Sequence, residues 1–347
     1  MFDELLKTVS VDIATVRAII QTNEQLRIII FSSDSATKVE LLENPEFNSL
    51  LNVVPDERNW QVYDRCSVVT RLYAIYEKFV KNLISDWLAL LPDLVPNYSN
   101  LEKSIQQTHQ QGVGRLLQEL KKNRFQHLTA EKVVRGLFSG ITANEKYELL
   151  PDAFLLQEQN LRKDVLEKLF TDAGIENTWK WVMNHRNIKR FLEEVRGSQN
   201  TAEGELNQLV SYRNDSAHGS GNEILGTKDL LSLGDFIETL CQALAELVTY
   251  HVILCKTSTD KGRQIGQITE WFKKPKAGVA KLKDIRLSVG NPLFLVNPSI
   301  SYCQLAKVES IQINDVFQDE VEIATETEVG LKFDIDGKEG LSLYVIE

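Results

Sequence analysis

The hydrophobic period of this chain changes once, across Thr257-Ser258-Thr259-Asp260-Lys261-Gly262, and that change limits what the chain can fold into. Before it, apolar residues recur every three or four positions almost throughout, as helices require. After it they alternate in short β-branched runs separated by turn residues. With 347 residues, 43% hydrophobic and 25% charged, the chain can bury more than one core. The expectation is a multidomain protein: an all-α helical bundle over 1–257, followed over 263–347 by a small antiparallel β-barrel.

In the helical part, amphipathic stretches lie near 2–22, 61–91, 112–122, 160–172, 187–196, 203–215 and 233–255. The second carries Val62, Cys66, Val69, Tyr73, Tyr76, Val80, Leu83, Trp87 and Leu91 on one face, and Pro92 is expected to close it. Segments 93–100 and 197–200 read as turns. Ser232-Leu233-Gly234-Asp235 reads as a capping box opening the last long helix, whose Phe236, Leu240, Leu244, Leu247 and Val248 would pack beneath the helix before it. The first sixty residues attach to the bundle, with Pro45 interrupting a helical 39–50 and 56–60 serving as connector.

A formal charge of −10 argues against a nonspecific nucleic-acid coat, because phosphate binding runs on local cations that displace counterions. Any such site must be a focused basic one. Three clusters qualify: Lys121, Lys122 and Arg124; Arg186, Lys189 and Arg190; and the run 273–286. Met1-Phe2-Asp3-Glu4 is acidic where a secretory signal needs positive charge, and the run Ile28-Ile29-Ile30-Phe31 is too short to span a bilayer. No membrane partner and a cytoplasmic location are therefore expected. Cys66, Cys241, Cys255 and Cys303 are scattered without a C-x2-C pair, so neither a metal site nor a disulfide framework is indicated. No G-x-x-x-x-G-K-[ST] loop occurs, which leaves GTP hydrolysis unsupported, and no cofactor is expected.

The densest chemistry lies in Arg213-Asn214-Asp215-Ser216-Ala217-His218-Gly219. An Arg followed five residues later by a His arises by chance in roughly one such chain in four, so context decides. Leu206, Leu209 and Val210 form an apolar stripe leading into Arg213, and Gly219-Ser220-Gly221-Asn222 ends the periodicity. On a straight helix, residues five apart are rotated by about 140°. Either the helix unwinds at Ser216-Ala217, or a working site takes Arg213 and His218 from two chains about a two-fold axis. His218 titrates near working pH and suits general acid or base work, whereas Arg213 stays charged and suits clamping a phosphate. Asn214 and Asp215 would satisfy free backbone groups near a break. His185 beside Arg186, with Trp179 and Trp181, reads as a stacking platform or as core.

This segment resembles the Arg-x4-6-His signature of HEPN-domain ribonucleases, and the surrounding helices resemble the RiboL-PSP-HEPN branch. The likeness spans roughly 61–255 and includes the helix 160–175 with Leu161, Leu166, Leu169 and Phe170. It implies a homodimer with a cleft at its seam and RNA as substrate, cut by transesterification through Arg213 and His218 without metal. It also implies a polar or acidic residue facing the motif arginine, here Glu77, for which the plain alternative is an exposed pair with Lys81. Such proteins commonly act as toxins or phage-defence effectors, which implies an antitoxin or defence partner protein. The tyrosine of the subgroup checked by nucleotidyltransferase antitoxins is absent, Ser220 standing there. The alternative function is a non-catalytic RNA- or protein-binding module on the same fold.

The barrel resembles domain two of elongation factor Tu. The resemblance rests on Ile265-Gly266-Gln267-Ile268-Thr269, Val279-Ala280, the turn Leu287-Ser288-Val289-Gly290-Asn291, the strand Val308-Glu309-Ser310-Ile311-Gln312-Ile313, and Glu328-Val329-Gly330-Leu331. Asn291 departs from that family's usual Asp. The likeness implies contact with tRNA or the ribosome, for which Lys273, Lys274, Lys276, Lys281 and Arg286 are candidate RNA-binding residues. The alternative is a barrel that packs only on the helical domain or a protein partner.

Overall fold

The computed structural model describes residues 1–31, 44–143, 145–156, 159–197, 200–218 and 225–346, the side chains of Ala217 and His218 excepted. Helix α1 (Asp3–Phe31), helix α3 (Glu57–Leu94) and helix α11 (Thr227–Ser258) pack on one another and form the spine of the helical part. Their facing sides carry the apolar spacing read from the sequence: Ile13, Leu72, Leu83, Phe236 and Leu240 are fully buried together. Around the spine run α2 (Pro45–Leu51), α4 (Lys103–Glu119), α5 (Ala130–Thr142), α6 (Pro151–Phe154), α7 (Lys163–Asp172), α8 (Thr178–Asn184), α9 (Arg186–Glu194) and α10 (Ala202–His218).

Several boundaries differ from the sequence reading, each for a local reason. Pro92 lies inside α3 rather than closing it, because the one intrahelical bond it forgoes falls in the last turn, and the Val95 N–H still reaches Leu91 O at 2.7 Å. Segment 56–60 is no connector, since Asp56 caps α3 by accepting the Asn59 N–H at 3.0 Å. Pro45 opens α2 at its first position, where its missing N–H costs nothing, behind an Asn44 cap. Residues 232–235 are not a cap either. They lie within α11, which starts at Thr227, and Ser232 Oγ donates back to Lys228 O at 3.0 Å. That earlier start is held by Arg65 of α3, which donates to Leu225 O at 3.0 Å and Thr227 Oγ1 at 3.2 Å. Helix α11 is long and apolar enough to cross a membrane, but 67% of its apolar window is buried inside the bundle.

Beyond Ser258 the chain forms strands β1 (Gly262–Phe272), β2 (Ala277–Leu282), β3 (Ile285–Ser288), β4 (Pro292–Asn297), β5 (Tyr302–Ile313), β6 (Val316–Gln318), β7 (Glu320–Ile323), β8 (Thr327–Phe333) and β9 (Ser342–Ile346). The ring order β4-β9-β1-β2-β8-β5 closes through a β4–β5 pairing, giving a six-stranded antiparallel barrel without an open edge between its staves. Gly266 sits at a register shift of β1, where an added Cβ would meet the Lys281 carbonyl carbon at 2.9 Å. Leu287 and Ser288, expected in a turn, instead form the end of β3, which pairs with β7 outside the barrel; Val289, Gly290 and Asn291 follow.

The continuous apolar run of β4 has a tertiary cause. Leu293 and Leu295 point into the barrel core, while the alternate Phe294 and Val296 join the helical core, so this strand is buried on both faces. The C-terminal half of α11 lies against β1, β5 and β9. At that seam Glu246 is buried among partners from both parts: the Arg186 guanidinium donates to it at 2.8 and 2.6 Å, the Cys303 N–H at 3.2 Å and Gln304 Nε2 at 3.1 Å. Burial pushes the Glu246 carboxyl up, but Arg186 and His185 outweigh that and hold it below the usual carboxylate range.

Candidate active site

Helix α10 rests mainly on α3 rather than on α11, through the buried Leu206, Leu209 and Val210. One turn further on, Arg213 is half-buried, with its guanidinium 5.2 Å from the centre of the Tyr73 ring. The helix does not unwind at Ser216-Ala217. Its backbone is helical through His218, so Arg213 and His218 of one chain diverge around the axis. The side chain of His218 and residues 219–222 lie outside the described residues.

What holds Arg213 in place is a clasp the sequence reading missed. Tyr73 and Tyr76, on one face of α3, grip both backbone groups of Leu161: the Leu161 N–H donates to Tyr73 Oη at 3.1 Å, and Tyr76 Oη donates to Leu161 O at 3.1 Å. The clasp keeps 160–162 non-helical, so α7 starts at Lys163 instead of Asn160. Asn160 and Arg162 thereby lie along α10. Asn160 Nδ2 donates to Asn214 Oδ1 at 2.9 Å, while Arg162 donates to Asn207 Oδ1 at 3.0 Å and Ser211 Oγ at 3.4 Å.

Asn207, Ser211, Asn214 and His218 are spaced by four, three and four, so these positions form one stripe of α10. Arg162 and Asn160 hold the stripe over its first turns, and His218 is its next register position. Burial raises the Tyr73 phenol, with the Leu161 N–H and the Arg213 and Arg162 charges opposing that rise. The Glu77 carboxylate adds to that rise, so two guanidinium groups and one carboxylate act on a tyrosine near the middle of α3. The sequence signal for Arg162 was only its place at the start of the amphipathic stretch 160–172.

Among the described residues, Asn214 makes side-chain contacts rather than capping backbone groups. Its carboxamide oxygen accepts from Asn160 and, at 3.2 Å, from Arg213 Nη1. Asp215 is exposed. Glu77 stands one turn past Tyr73, and its hydrogen bond goes to Lys81 Nζ at 2.9 Å rather than to Arg213.

The remaining candidates separate clearly. Trp179 and Trp181 are buried and His185 is fully enclosed beside Glu246, so they form core and no stacking platform. Lys122 and Arg124 both pair with Glu119. On the barrel, Lys276 Nζ donates to Asp334 O at 2.8 Å, Arg286 binds Glu320 at 2.6 and 3.1 Å, and Lys281 lies 4.0 Å from Glu328. Lys273 and Lys274 have no acidic partner among the described residues, and Lys273 faces Arg186, Lys189 and Arg190 across a cleft. Among the described residues, no three His, Cys, Asp or Glu side chains gather as metal ligands would.

Comparison with known proteins gives one match of weight: the model of the RiboL-PSP-HEPN family fits residues 36–250. No curated protein matches the chain. Among solved structures, the C-terminal domain of a U32 peptidase from Geobacillus thermoleovorans is similar at 12% identity over 23% of this chain and 96% of that one. Its TM-score of 0.21 is too low to bear on the argument.

Proposed function

The chain belongs to the RiboL-PSP-HEPN family, and from that premise we propose that it is an endoribonuclease that cuts RNA by transesterification. The observation that carries this reading is the anchoring of Arg213 over Tyr73, on a helix whose polar stripe, held by Asn160 and Arg162, leads to His218. In the proposed reaction His218 takes the proton from a ribose 2'-hydroxyl, and that oxygen forms a bond to the adjacent phosphorus. The bond from phosphorus to the 5'-oxygen breaks, and His218 of the partner subunit protonates the leaving oxygen. The products are a 2',3'-cyclic phosphate and a 5'-hydroxyl end. Arg213 keeps its proton and stabilises the charge that grows on the phosphate oxygens. DNA, lacking the 2'-hydroxyl, is no substrate.

Two chains are invoked because the unbroken α10 turns Arg213 and His218 of one chain about 140° apart, and a two-fold pairing brings complementary groups to one seam. The barrel, by its resemblance to translation-factor domain two, would deliver the enzyme to tRNA or the ribosome, consistent with a toxin or defence effector in the cytoplasm. Removing 258–347 should then change which RNAs are cut; unchanged substrate choice rejects the delivery role.

The test is cleavage of total cellular RNA by the wild type, Arg213→Ala and His218→Ala, with light scattering to follow the dimer. Both variants should lose cleavage and keep the dimer, and the fragments should end in cyclic phosphate and 5'-hydroxyl in the presence of EDTA. Fragments with 5'-phosphate ends, or cleavage that stops with EDTA, refute the mechanism. RNA binding without any cleavage identifies a docking module instead.

A further inference from the structure

A cleft of about 760 Å³ opens between the α8–α9 region and the barrel. Lys189 and Arg190 stand on its helical wall, and Lys273 and Lys338 on its barrel wall. All four are exposed. Arg186 also lines the cleft but its charge is matched by Glu246, so the balance is four cations against two carboxylates, Asp336 and Glu339, in a chain of net charge −10. Asp336 is engaged, accepting from Trp271 Nε1 at 3.0 Å and the Gly337 N–H at 3.1 Å. Lys273 and Lys338 have no partner among the described residues, and Arg190 reaches Glu194 only at 4.0 Å. The local excess of positive charge is the focused basic site that the acidic composition demands of any nucleic-acid binder.

The cleft's two aromatic rings decide what kind of anion fits. Tyr302 is buried beneath the Arg186 guanidinium, 4.4 Å from its ring centre, and that guanidinium is itself held by Glu246. Trp271 stacks on Phe333 at 6.2 Å, and the backbone at Gly337 lies so close that an added Cβ would sit 2.9 Å from the indole. Both rings are already stacked, and the amide of Asn187 is spent on Gln242 at 2.8 Å. A mononucleotide site relies on an aromatic face or spare amides to hold the base. Gln304 is spent on Glu246 at 3.1 Å, and Lys189 donates to Asn184 Oδ1 at 3.2 Å; the groups left most open are the cationic ends of Lys273, Lys338 and Arg190, which read phosphates and no base.

We propose that this cleft binds the phosphodiester backbone of single-stranded RNA, independently of sequence, as a docking site separate from Arg213 and His218. The proposal rests on the RNA reading of the preceding section and names where the substrate is held. It also joins two basic clusters that lie more than eighty residues apart in the chain, because the Glu246 node fixes α9 against β5.

The test uses the full chain with His218→Ala to prevent cutting, and a labelled 20-nucleotide RNA of two different sequences. Lys189→Glu with Arg190→Glu, and separately Lys273→Glu with Lys338→Glu, should each weaken binding about 30-fold at 0.15 M salt and reduce the salt slope by about 1.4, the single-strand counterion term for two lost phosphate contacts. Both sequences should respond alike. Lys103→Glu with Lys132→Glu, exposed and outside the cleft, should change nothing. Glutamine replacements at the same four positions, which keep the polar character, should reduce the slope in the same direction. Unchanged RNA affinity in both double variants overturns the proposal. So does a nucleoside triphosphate that binds the wild type and not the cleft variants while RNA binds both, because that assigns the cleft to a free nucleotide. RNA bound through the cleft but never cut by the wild-type chain leaves this site standing and refutes the ribonuclease reading; normal binding by the cleft variants, and normal cutting when they keep His218, does the reverse.

Discussion

Replacing Glu246 by alanine should cost more stability than any single change on the surface of this protein. The carboxylate is 8% exposed and accepts from Arg186 through two nitrogens, from the Cys303 N–H and from Gln304. Its loss strands the Arg186 guanidinium, whose side chain is 30% exposed, and an uncompensated charge of that kind costs about 3–5 kcal/mol when fully buried. Partial exposure toward the cleft brings that to about 2–3 kcal/mol. The orphaned Cys303 N–H adds about 1–3 kcal/mol. The expected total of about 4 kcal/mol is a large share of the 5–15 kcal/mol typical of a folded domain. The double change Arg186→Met with Glu246→Leu removes both charges and should cost only about 1–2 kcal/mol. Urea unfolding followed by far-UV ellipticity and by tryptophan fluorescence measures all three. An alanine variant within 1 kcal/mol of wild type, or a double variant as unstable as the single one, would refute the account of the seam.

Three further outcomes follow from the same geometry. Gly112 packs on α6 so closely that an added Cβ would lie 2.7 Å from the Ala153 carbonyl carbon; Gly112→Ala should therefore destabilise by about 2 kcal/mol, and an unchanged urea midpoint would contradict it. Burial holds His109 and His251 down at about 4, so the unfolded chain takes up protons there before the folded one does. Their stabilising effect is complete above pH 6.5 and lost as pH falls toward 4; between pH 7.5 and 5 each should cost about 2 kcal/mol, and a flat stability over that range would be the contrary result. Tyr73→Phe leaves the buried Leu161 N–H unpaired, which should cost about 1–3 kcal/mol and slow RNA cleavage roughly tenfold by loosening Asn160 and Arg162; full activity at wild-type stability would show that the clasp positions nothing.

The two architectures were legible because burial leaves a local trace. A helix half-buried in a bundle must show apolar residues every three or four positions, as α3 and α10 do, and a barrel stave must alternate, as Val329, Leu331 and Phe333 do on β8. The change of period near 257–262 therefore announced helices before strands, and Leu206, Leu209 and Val210 announced which face of α10 would be covered. End signals were weaker. Pro92 and Ser232 carry the chemistry of helix boundaries, yet both lie inside helices because neighbouring packing outweighs one lost bond or one side-chain cap.

Pairing over long separations left no such trace. The grip of Tyr73 and Tyr76 on Leu161 spans 88 and 85 residues, and Glu246 meets Cys303 across 57; each polar group reads in sequence like any surface or core residue of its type. The closure of β4 onto β5, the turning of Phe294 and Val296 toward the helices, and the meeting of Arg190 with Lys273 across one cleft have the same origin. Periodicity records which face of an element leaves water, a property of each few turns alone. What that face meets is decided by how the distant pieces pack, and only the folded chain holds that information.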